Sequence, residues 1–320
     1  MAEQSDVALA DQFAEEFKRL EAEIGKKIIG QQEVVRLLLT SIFCQGHSLL
    51  VGVPGLAKTL LIQTVAQCLS LDFSRIQFTP DLMPSDILGA ESLGKDRNLR
   101  FTKGPVFANV ILADEINRTP PKTQSALLEA MQEGAVTIAG ETHALDQPFF
   151  VLATQNPIEQ EGTYPLPEAQ LDRFMFMVKL DYPAFEDELE VVKKTTSEKL
   201  VEVNSLLSKE QIQAYQQLIR KVPVTDNVIN YAVSLAVKTR PNGDKASTHA
   251  REYLEWGAGP RAGQFLVLAA KCNALINQKY SPDIEDVKSV SVPVLQHRIV
   301  KNFKAEAEGI TEESLILKLL

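Results

Sequence analysis

The chain has 320 residues, of which 45% are hydrophobic and 23% are charged. That composition supports a substantial core without disulfides or a structural metal, in one large domain or two smaller ones. Lys and Arg total 33 against 42 Asp and Glu, a formal net charge of -9, which counts against a protein whose main task is to neutralise nucleic-acid phosphates.

The first 183 residues alternate helical patterns with short, continuous apolar runs. Apolar side chains recur at helical spacing over residues 8–24, 31–45, 59–69 and 122–132. Apolar runs of the kind found in strands buried on both faces cover residues 49–51, 73–78, 110–113, 149–153 and 174–180. We therefore predict a three-layer α/β domain with a parallel sheet over residues 1–183.

Two polar segments interrupt this alternation. Residues 136–145 alternate about Gly140-Glu141 as a hairpin does, and residues 93–101 form a second polar insertion. Such insertions are surface features on which specificity is often built.

After Pro183 the strand pattern stops and helical patterns take over. They cover residues 185–200, 208–222, 228–238, 263–278 and 284–290, and Ser208 with Gln211 is predicted to form a capping box. We predict a second, all-helical domain over residues 184–320.

The most specific motif lies between the first strand and the following helix. It reads Gly52-Val53-Pro54-Gly55-Leu56-Ala57-Lys58-Thr59-Leu60. This spacing fits the phosphate-binding P-loop, in which backbone N–H groups cradle phosphates, Lys58 meets the β and γ oxygens, and Thr59 holds Mg²⁺. Ala57 replaces the usual glycine, and we expect it to enter the first turn of the helix without difficulty. The competing interpretation is a glycine-rich turn with an exposed lysine.

A second motif is a buried strand that ends in two carboxylates, Asp114 and Glu115. Downstream of a P-loop, Asp114 would hold Mg²⁺ through its water shell, and Glu115 would orient and polarise the attacking water. Alone, such a strand end is more often a solvated edge.

A third strand, at 149–153, runs into Thr154-Gln155-Asn156-Pro157. Ligands on open α/β sheets gather at the carboxyl ends of strands, where Asn156 would hydrogen-bond both the γ-phosphate and the attacking water. An Asn-Pro turn that merely ends the strand is the alternative.

Together these motifs resemble the AAA+ ATPases, and the branch that they resemble most is the MoxR family. The segments that carry the resemblance are Ile29-Gly30-Gln31, Gly52 to Thr59, Asp114 to Arg118, Ala153 to Pro157, Glu161 to Phe174 and Gly259 to Ala262. The alanine at position 57 also resembles that branch.

The resemblance implies roles that spacing alone does not. Ile28, Ile29 and Gly30 match the segment that packs against adenine, although an apolar helix-to-turn stretch is equally expected of plain core. Asn156 matches the residue called sensor 1. Arg173 matches the arginine finger that reaches a neighbouring subunit's γ-phosphate. Arg261 matches sensor 2, by which the helical lid contacts the nucleotide of its own subunit.

Each arginine also has an ordinary structural interpretation. Arg173 could form an ion pair with Asp172 or Glu168, and Arg261 could be a contact at a helix start. Arg118 is a further intersubunit candidate, with a solvated loop charge as its alternative.

The function that the resemblance implies is Mg²⁺-dependent ATP hydrolysis by a homo-oligomeric, hexameric ring. Such ATPases act as chaperones that remodel or mature protein complexes, with von Willebrand factor A domain proteins among the clients. The alternatives are a nucleic-acid motor, a metal-chelatase subunit, or a nucleotide-gated scaffold with little hydrolysis. Residues 136–145 contain no Lys or Arg, which favours protein clients over nucleic acid.

The cysteines and the hydropathy pattern predict a cytoplasmic protein without membrane insertion. Cys44, Cys68 and Cys272 are widely spaced, which suits neither a zinc knuckle nor a disulfide framework. The polar start Met1-Ala-Glu-Gln is unlike a signal peptide, and no run of about 18 apolar residues occurs.

Overall fold

The computed structural model describes residues 5–93, 99–158, 162–196 and 201–320. Parts of several predicted features therefore lie outside the described residues. They are the centre of the insertion at 94–98, Glu161 at the start of one shared segment, residues 197–200 of the predicted helix 185–200, and the N-terminal residues 1–4.

Helices and strands alternate through the first part of the chain. In order they are α1 (Asp6–Gly25), α2 (Gln32–Phe43), β1 (Ser48–Gly52), α3 (Lys58–Cys68), β2 (Phe73–Gln77), α4 (Pro84–Leu88), β3 (Gly89–Leu93), β4 (Leu99–Lys103), β5 (Val110–Asp114), α5 (Pro121–Glu133), β6 (Ala135–Ile138), β7 (Glu141–Ala144), β8 (Phe150–Gln155), α6 (Glu168–Leu171) and β9 (Phe176–Leu180), with single 3-10 turns at Pro105–Phe107 and Ile116–Arg118.

The remaining elements are mostly helices. They are α7 (Phe185–Thr195), α8 (Lys209–Lys221), α9 (Asp226–Lys238), α10 (Thr248–Tyr253), β10 (Leu254–Trp256), α11 (Pro260–Ile276), α12 (Ile284–Ser289), α13 (Ser291–Leu295), β11 (Val300–Lys301), α14 (Phe303–Ala307) and α15 (Glu312–Leu317).

Contacts divide the chain into two compact units, neither of them continuous in sequence. The α/β unit contains Arg19–Leu166 and Val178–Gln213. The helical unit contains Pro167–Met177, Ala214–Leu320 and the N-terminal residues up to Lys18. The division between residues 183 and 184 stays a prediction about domains.

Five strands of the described chain form one sheet, in the order β2-β5-β8-β1-β9. The pairs β2/β5, β5/β8 and β8/β1 are parallel, as the apolar runs predict. The first four residues of β5 and the first five of β8 are buried, because helices cover both faces of a parallel sheet. The predicted α/β core is therefore confirmed.

Both predicted insertions are antiparallel hairpins, β3/β4 and β6/β7. Phe101 of β4 stacks on His143 of β7 with ring centroids 4.3 Å apart. The two hairpins are thus in contact with each other through an aromatic pair.

The helical second part of the chain is confirmed, with one addition. Strands β10 and β11 form a short antiparallel ladder, although the strand pattern was expected to end at Pro183. These strands have three and two residues, too few to show a period in the sequence. The capping box is present, since Ser208 N donates to Gln211 and Gln211 N donates to Ser208 Oγ. Among the residues described, none of the helices combines the length and apolar character that a membrane crossing requires.

His47, just before β1, is a buried titratable group of the α/β unit. Its Nε2 lies 3.1 Å from Met131 O, and its Nδ1 accepts from Val151 N at 3.1 Å. Because Nδ1 accepts this backbone N–H, we assign the proton to Nε2, which then donates to Met131. Burial lowers the pKa of His47 to about 4 from its ordinary 6.5, so the ring is neutral at pH 7.

This burial predicts a loss of stability in mild acid. A histidine with a depressed folded pKa stabilises the fold above pH 6.5, and that contribution is lost as the pH falls towards 4. Between pH 7 and pH 5, we expect the free energy of unfolding of the wild type to fall by about 2 kcal/mol relative to His47→Gln. Urea titrations of both proteins at the two pH values test this. If the free energies of unfolding of the wild type and His47→Gln differ by the same amount at pH 7 and pH 5, the prediction is wrong.

Candidate functional site

The carboxyl ends of β5, β8 and β1 lie side by side, because these strands are neighbours in the parallel sheet. Asp114 is the last residue of β5, and Asn156 follows the last residue of β8. Lys58 begins α3, at the end of the loop that leaves β1. The sheet thus brings the three predicted motifs to one edge.

The loop from Gly52 to Lys58 turns sharply before α3. Gly55 has φ 88° and Ala57 has φ 53°, both in the left-handed region. Ala57 is the N-cap residue of α3, so the expectation that it enters the first helical turn is wrong. A left-handed alanine costs roughly 1–2 kcal/mol. The glycine that the P-loop pattern usually has at this position would avoid that cost.

Two glycines permit close packing around this loop. A side chain at Gly52 would place its Cβ 2.7 Å from Leu180 Cβ, at the end of β9. Gly30 has φ 71°, and a Cβ there would lie 2.8 Å from a carboxylate oxygen of Asp187 in α7. Both positions therefore exclude larger residues.

Lys58 is half-buried and its ammonium points back to the loop. Its Nζ donates to Gly52 O at 2.5 Å. Burial lowers the pKa of Lys58, while the nearby carboxylates of Asp114 and Glu115 act in the opposite direction. The ammonium is thus held at the strand ends, beside two negative charges.

Asp114 is held by two different donors. Arg75, from neighbouring strand β2, places NH2 2.6 Å from Oδ2. Thr154 of β8 donates from its hydroxyl to Oδ1 at 2.7 Å. The carboxylate is therefore fixed in position by the strands on both sides of β5.

Glu115 follows directly in the left-handed conformation, with φ 56°. Its Oε2 accepts from Gln77 Nε2 at 3.1 Å and pairs with Arg118 NH1 at 3.0 Å. The side chain of Arg118 is 43% exposed, so this pair is partly solvated. Arg118 is thus a local partner of Glu115 in this conformation.

Asn156 is buried, with 6% of its surface exposed. Its Oδ1 accepts from Ile158 N at 3.1 Å. Within the described chain, its Nδ2 has no hydrogen-bond partner. A buried amide donor without a partner is costly, and here it lies at the edge where the other motifs meet.

A cleft of about 430 Å³ opens beside the loop. Most of its lining residues are apolar, and they come from the turn before α2, the loop with the start of α3, and α7 with the residues before it. They are Lys27, Ile28, Ile29, Gln31, Pro54, Gly55, Leu56, Ala57, Leu60, Tyr182, Pro183, Glu188, Val191, Val192, Lys194 and Thr195. The cleft therefore joins the predicted adenine segment to the predicted phosphate loop.

The two predicted arginines belong to the helical unit. Arg173 follows Asp172, whose carboxylate pairs with Arg261 NH1 at 3.1 Å and with Arg298 Nε at 2.8 Å. The carboxylate of Asp172 is thus held by these two cations, whereas an ion pair between Asp172 and Arg173 was one interpretation of the sequence.

Arg298 is a buried cation that encloses the segment around Arg173. Its guanidinium donates to the carbonyl oxygens of Asp172, Phe174 and Met175. Burial lowers its pKa to about 10, with Asp172 acting in the opposite direction, so it stays charged at pH 7. The backbone on both sides of Arg173 is therefore held by one residue from the C-terminal part of the chain.

Sequence reasoning missed several of these residues. Arg75 and Gln77 alternate along β2 and reach the same strand end as Asp114, a spacing that could have indicated them. Tyr182 and the α7 residues of the cleft follow the last strand of the sheet, a position from which they could have been proposed. Nothing local marks Arg298 as a partner of this segment, because Asp172, Phe174 and Met175 lie more than 100 positions before it.

Comparisons with known proteins agree with this geometry. Residues 47–176 match the family model described as "ATPase family associated with various cellular activities (AAA)", and residues 246–319 match the AAA lid domain. Chaperone MoxR1 of Mycobacterium tuberculosis is 41% identical over 93% of this chain and 79% of its own length. Protein MoxR of Methylorubrum extorquens is 31% identical over 88% of this chain and 86% of its own. The chain belongs to the MoxR family of AAA+ ATPases.

A solved structure supports the same assignment for the fold. The crystal structure of a provisionally named ATPase from Cytophaga hutchinsonii superposes with a TM-score of 0.91 at 44% identity, and covers 97% of this chain and 95% of its own. With the family match, this shows that the MoxR-family chain is an ATPase, and the family implies that ATP is its ligand.

The arrangement around Asp172 predicts unequal roles for its two arginines in stability. Arg298→Met removes a buried cation and takes a donor from the Asp172 carboxylate and from four carbonyl groups, those of Asp172, Phe174, Met175 and Val294. We expect this to cost about 3–5 kcal/mol. Arg261→Met is the matched control, and we expect it to cost no more than about 1 kcal/mol because this pair is partly exposed. Urea unfolding of both variants tests this, and equal losses would contradict it.

Proposed function

We propose that this MoxR-family ATPase hydrolyses Mg²⁺-ATP at the carboxyl edge of its sheet, as a ring-forming chaperone that remodels or matures protein complexes. The observation that carries the proposal is the buried, unpartnered Nδ2 of Asn156, beside strand ends that hold Lys58, Asp114 and Glu115. A γ-phosphate is the acceptor that this donor lacks.

The loop would bind the phosphates of ATP. The start of α3 presents backbone N–H groups and the positive end of the helix dipole to an anion. Lys58 adds the principal cation for the β and γ oxygens. When ATP binds, the hydrogen bond from Lys58 Nζ to Gly52 O would be replaced by hydrogen bonds to phosphate oxygens. Gly52, Val53, Pro54, Gly55, Leu56, Ala57, Lys58, Thr59 and Leu60 are the proposed binding residues of this segment.

The apolar cleft would take the base. Ile29 and Leu60 line its walls, and Gly30 lets Asp187 of α7 approach closely. A planar, mostly apolar ring suits such a surface. Adenine would therefore lie between the turn before α2 and helix α7.

Thr59 and Asp114 are the residues that would hold Mg²⁺. A hydroxyl and a carboxylate are the hard oxygen donors that this cation prefers. In the described chain, no group of three or more His, Cys, Asp or Glu side chains makes a complete metal site, so phosphate oxygens and water would supply the remaining ligands. When bound, the ion would neutralise charge on the phosphates. Asp114 would meet it with one oxygen already fixed by Thr154.

Glu115 and Asn156 would prepare the attacking water. The Glu115 carboxylate would accept a hydrogen bond from water and orient it towards the γ-phosphorus. Its present partners are Gln77 and Arg118, and we propose that the carboxylate leaves one of them when ATP binds. Asn156 Nδ2 would donate to the γ-phosphate.

Arg173 and Arg261 would supply the remaining positive charge. In phosphoryl transfer, charge spreads over the transferring oxygens, and arginines neutralise it. We propose Arg173 as the finger that enters a neighbouring subunit's site, and Arg261 as the sensor of the lid. Arg298 would act through the backbone, by holding the segment that carries Arg173.

A finger that acts between subunits requires an oligomer, and we propose a hexameric ring. The partners would be proteins, with von Willebrand factor A domain proteins as the first to test. The relative named chaperone MoxR1 supports a chaperone role, and the acidic net charge counts against a nucleic-acid motor. The metal-chelatase and scaffold alternatives stay open, and a cytoplasmic location stays a prediction.

Lys58→Ala and Glu115→Gln separate binding from turnover. Lys58→Ala should lose ATP binding, because the main countercharge to the phosphates disappears. Glu115→Gln should keep binding and lose turnover, because an amide cannot polarise water as a carboxylate does. Titration with a fluorescent nucleotide and a phosphate-release assay measure the two properties. Normal hydrolysis by Glu115→Gln would remove this residue from its proposed role.

Arg173→Ala tests the ring. We expect nearly normal ATP binding and a loss of rate on the order of 10³-fold. Mixing Arg173→Ala with Lys58→Ala subunits should restore activity, because one supplies an intact pocket and the other an intact finger. An inactive mixture, in which native mass measurements show mixed oligomers, would exclude an intersubunit role for Arg173.

A further inference from the structure

Helix α7 has 11 residues, all described, and none of them is buried. Phe185, Leu189 and Val192 recur at helical spacing, and 75%, 45% and 52% of their surfaces are exposed. A short helix gains most of its stability by packing an apolar face against other residues. The apolar stripe of α7 is thus available for a further contact.

The nucleotide cleft accounts for only one side of this helix. Glu188, Val191, Val192 and Thr195 line the cleft, whereas Phe185 and Leu189 are not among its lining residues. At 100° per residue, these two side chains lie on a neighbouring face of α7. Bound nucleotide would leave that face exposed.

The first turn of α7 is acidic and its last turn is basic. Glu186, Asp187 and Glu188 occupy the first turn, and Lys193 and Lys194 occupy the last. The 100° rotation per residue places Glu186 on one side of Phe185 and Glu188 on the other. A surface that receives the N-terminal end of this face should therefore be apolar at its centre and basic beside the first turn of α7.

The helical unit contains a groove of that kind. It has a volume of about 670 Å³ and is lined by residues of α8, α9 and α11, namely Arg220, Ile229, Val233, Pro260, Gly263, Gln264, Phe265, Val267, Leu268 and Lys271. Ile229 and Val233 are 37% and 48% exposed, so large apolar side chains of the groove are open to contact.

The charged side chains among these lining residues are Arg220 and Lys271, both basic. Lys271 Nζ donates to Arg220 O at 3.0 Å, which holds the ammonium at the groove. The apolar centre and the basic rim of the groove are thus the complement of the apolar stripe and the acidic first turn of α7.

We propose that this groove receives helix α7 from a second copy of the chain. Phe185 and Leu189 would pack against Ile229, Val233 and neighbouring apolar residues, and Glu186 would face Lys271. The two surfaces differ, so the contact is head-to-tail, and repeating it around an axis closes a ring.

The location of α7 argues for another copy as the occupant. The inference rests on the proposed ring, in which the finger of a neighbouring subunit must reach the nucleotide. A subunit boundary then lies beside the nucleotide cleft, and α7 forms part of the rim of that cleft. The stripe is thus at the place where the proposed ring puts a neighbour.

Cross-linking between singly substituted subunits tests the contact directly. Leu189→Cys and Val233→Cys proteins are mixed with ATP and treated with a short bis-maleimide. The native cysteines Cys44, Cys68 and Cys272 are all buried. We expect covalent dimers from the mixture and none from either protein alone. Absence of dimers from an assembled mixture would overturn the proposal.

Light scattering tests the contribution of the stripe to assembly. Leu189→Lys should weaken association about tenfold or more, because a buried leucine contact is replaced by a charge near Lys271. Leu317→Lys, at a leucine of α15 that is 54% exposed, is the matched control and should leave the mass unchanged. Neither residue lines the nucleotide cleft, so fluorescent-nucleotide affinity should stay the same in both.

Charge reversal is the most specific test of the proposed contact between Glu186 and Lys271. Glu186→Lys and Lys271→Glu should each weaken assembly, and the two substitutions together should restore it. A wild type that stays monomeric with ATP would refute both the ring and this docking. A wild-type ring that Leu189→Lys and the charge reversals leave intact would refute the docking alone and assign the α7 face to a different protein.

Discussion

The hydroxyl of Thr154 joins the two strand ends on which the site depends. It donates to Asp114 Oδ1 at 2.7 Å and accepts from Glu115 N at 2.8 Å. One side chain of β8 therefore fixes both the carboxylate proposed for Mg²⁺ and the backbone that carries the proposed catalytic glutamate. Asn156 comes two residues after Thr154, directly after the end of the same strand. The spacing of the groups proposed to hold water, Mg²⁺ and the γ-phosphate thus depends on the register of β5 against β8.

Local charge explains how an acidic protein accepts an acidic ligand. Arg75 pairs with Asp114, Arg118 pairs with Glu115, and the Lys58 ammonium lies near both carboxylates. The site is therefore nearly balanced before ATP binds, and phosphate must compete for cations that already have partners. We infer that binding rearranges these pairs. The mutual arrangement of such groups sets the activity more directly than the net charge of the chain does.

The sequence predicted the elements whose causes are local. Buried strands show as apolar runs, and the P-loop shows because its spacing follows from backbone geometry. Residues whose roles depend on distant partners could not be found that way. Arg298 acts on residues more than 100 positions earlier. The α7 side of the cleft depends on how the chain after β9 comes back to the P-loop. Ala57 adopts a left-handed conformation, which the backbone propensity of alanine disfavours. The two-residue strand β11 exists only through its pairing with β10.

The central claim is that the strand ends form one site that recognises the γ-phosphate. Calorimetric titration of the wild type and Asn156→Ala with ADP and with a non-hydrolysable ATP analogue, both with Mg²⁺, tests it most directly. We predict that the wild type prefers the analogue and that Asn156→Ala binds it about 10-fold more weakly, as expected for one lost hydrogen bond to a charged group, with ADP affinity unchanged. Equal losses for both nucleotides, or no loss for either, would contradict the claim.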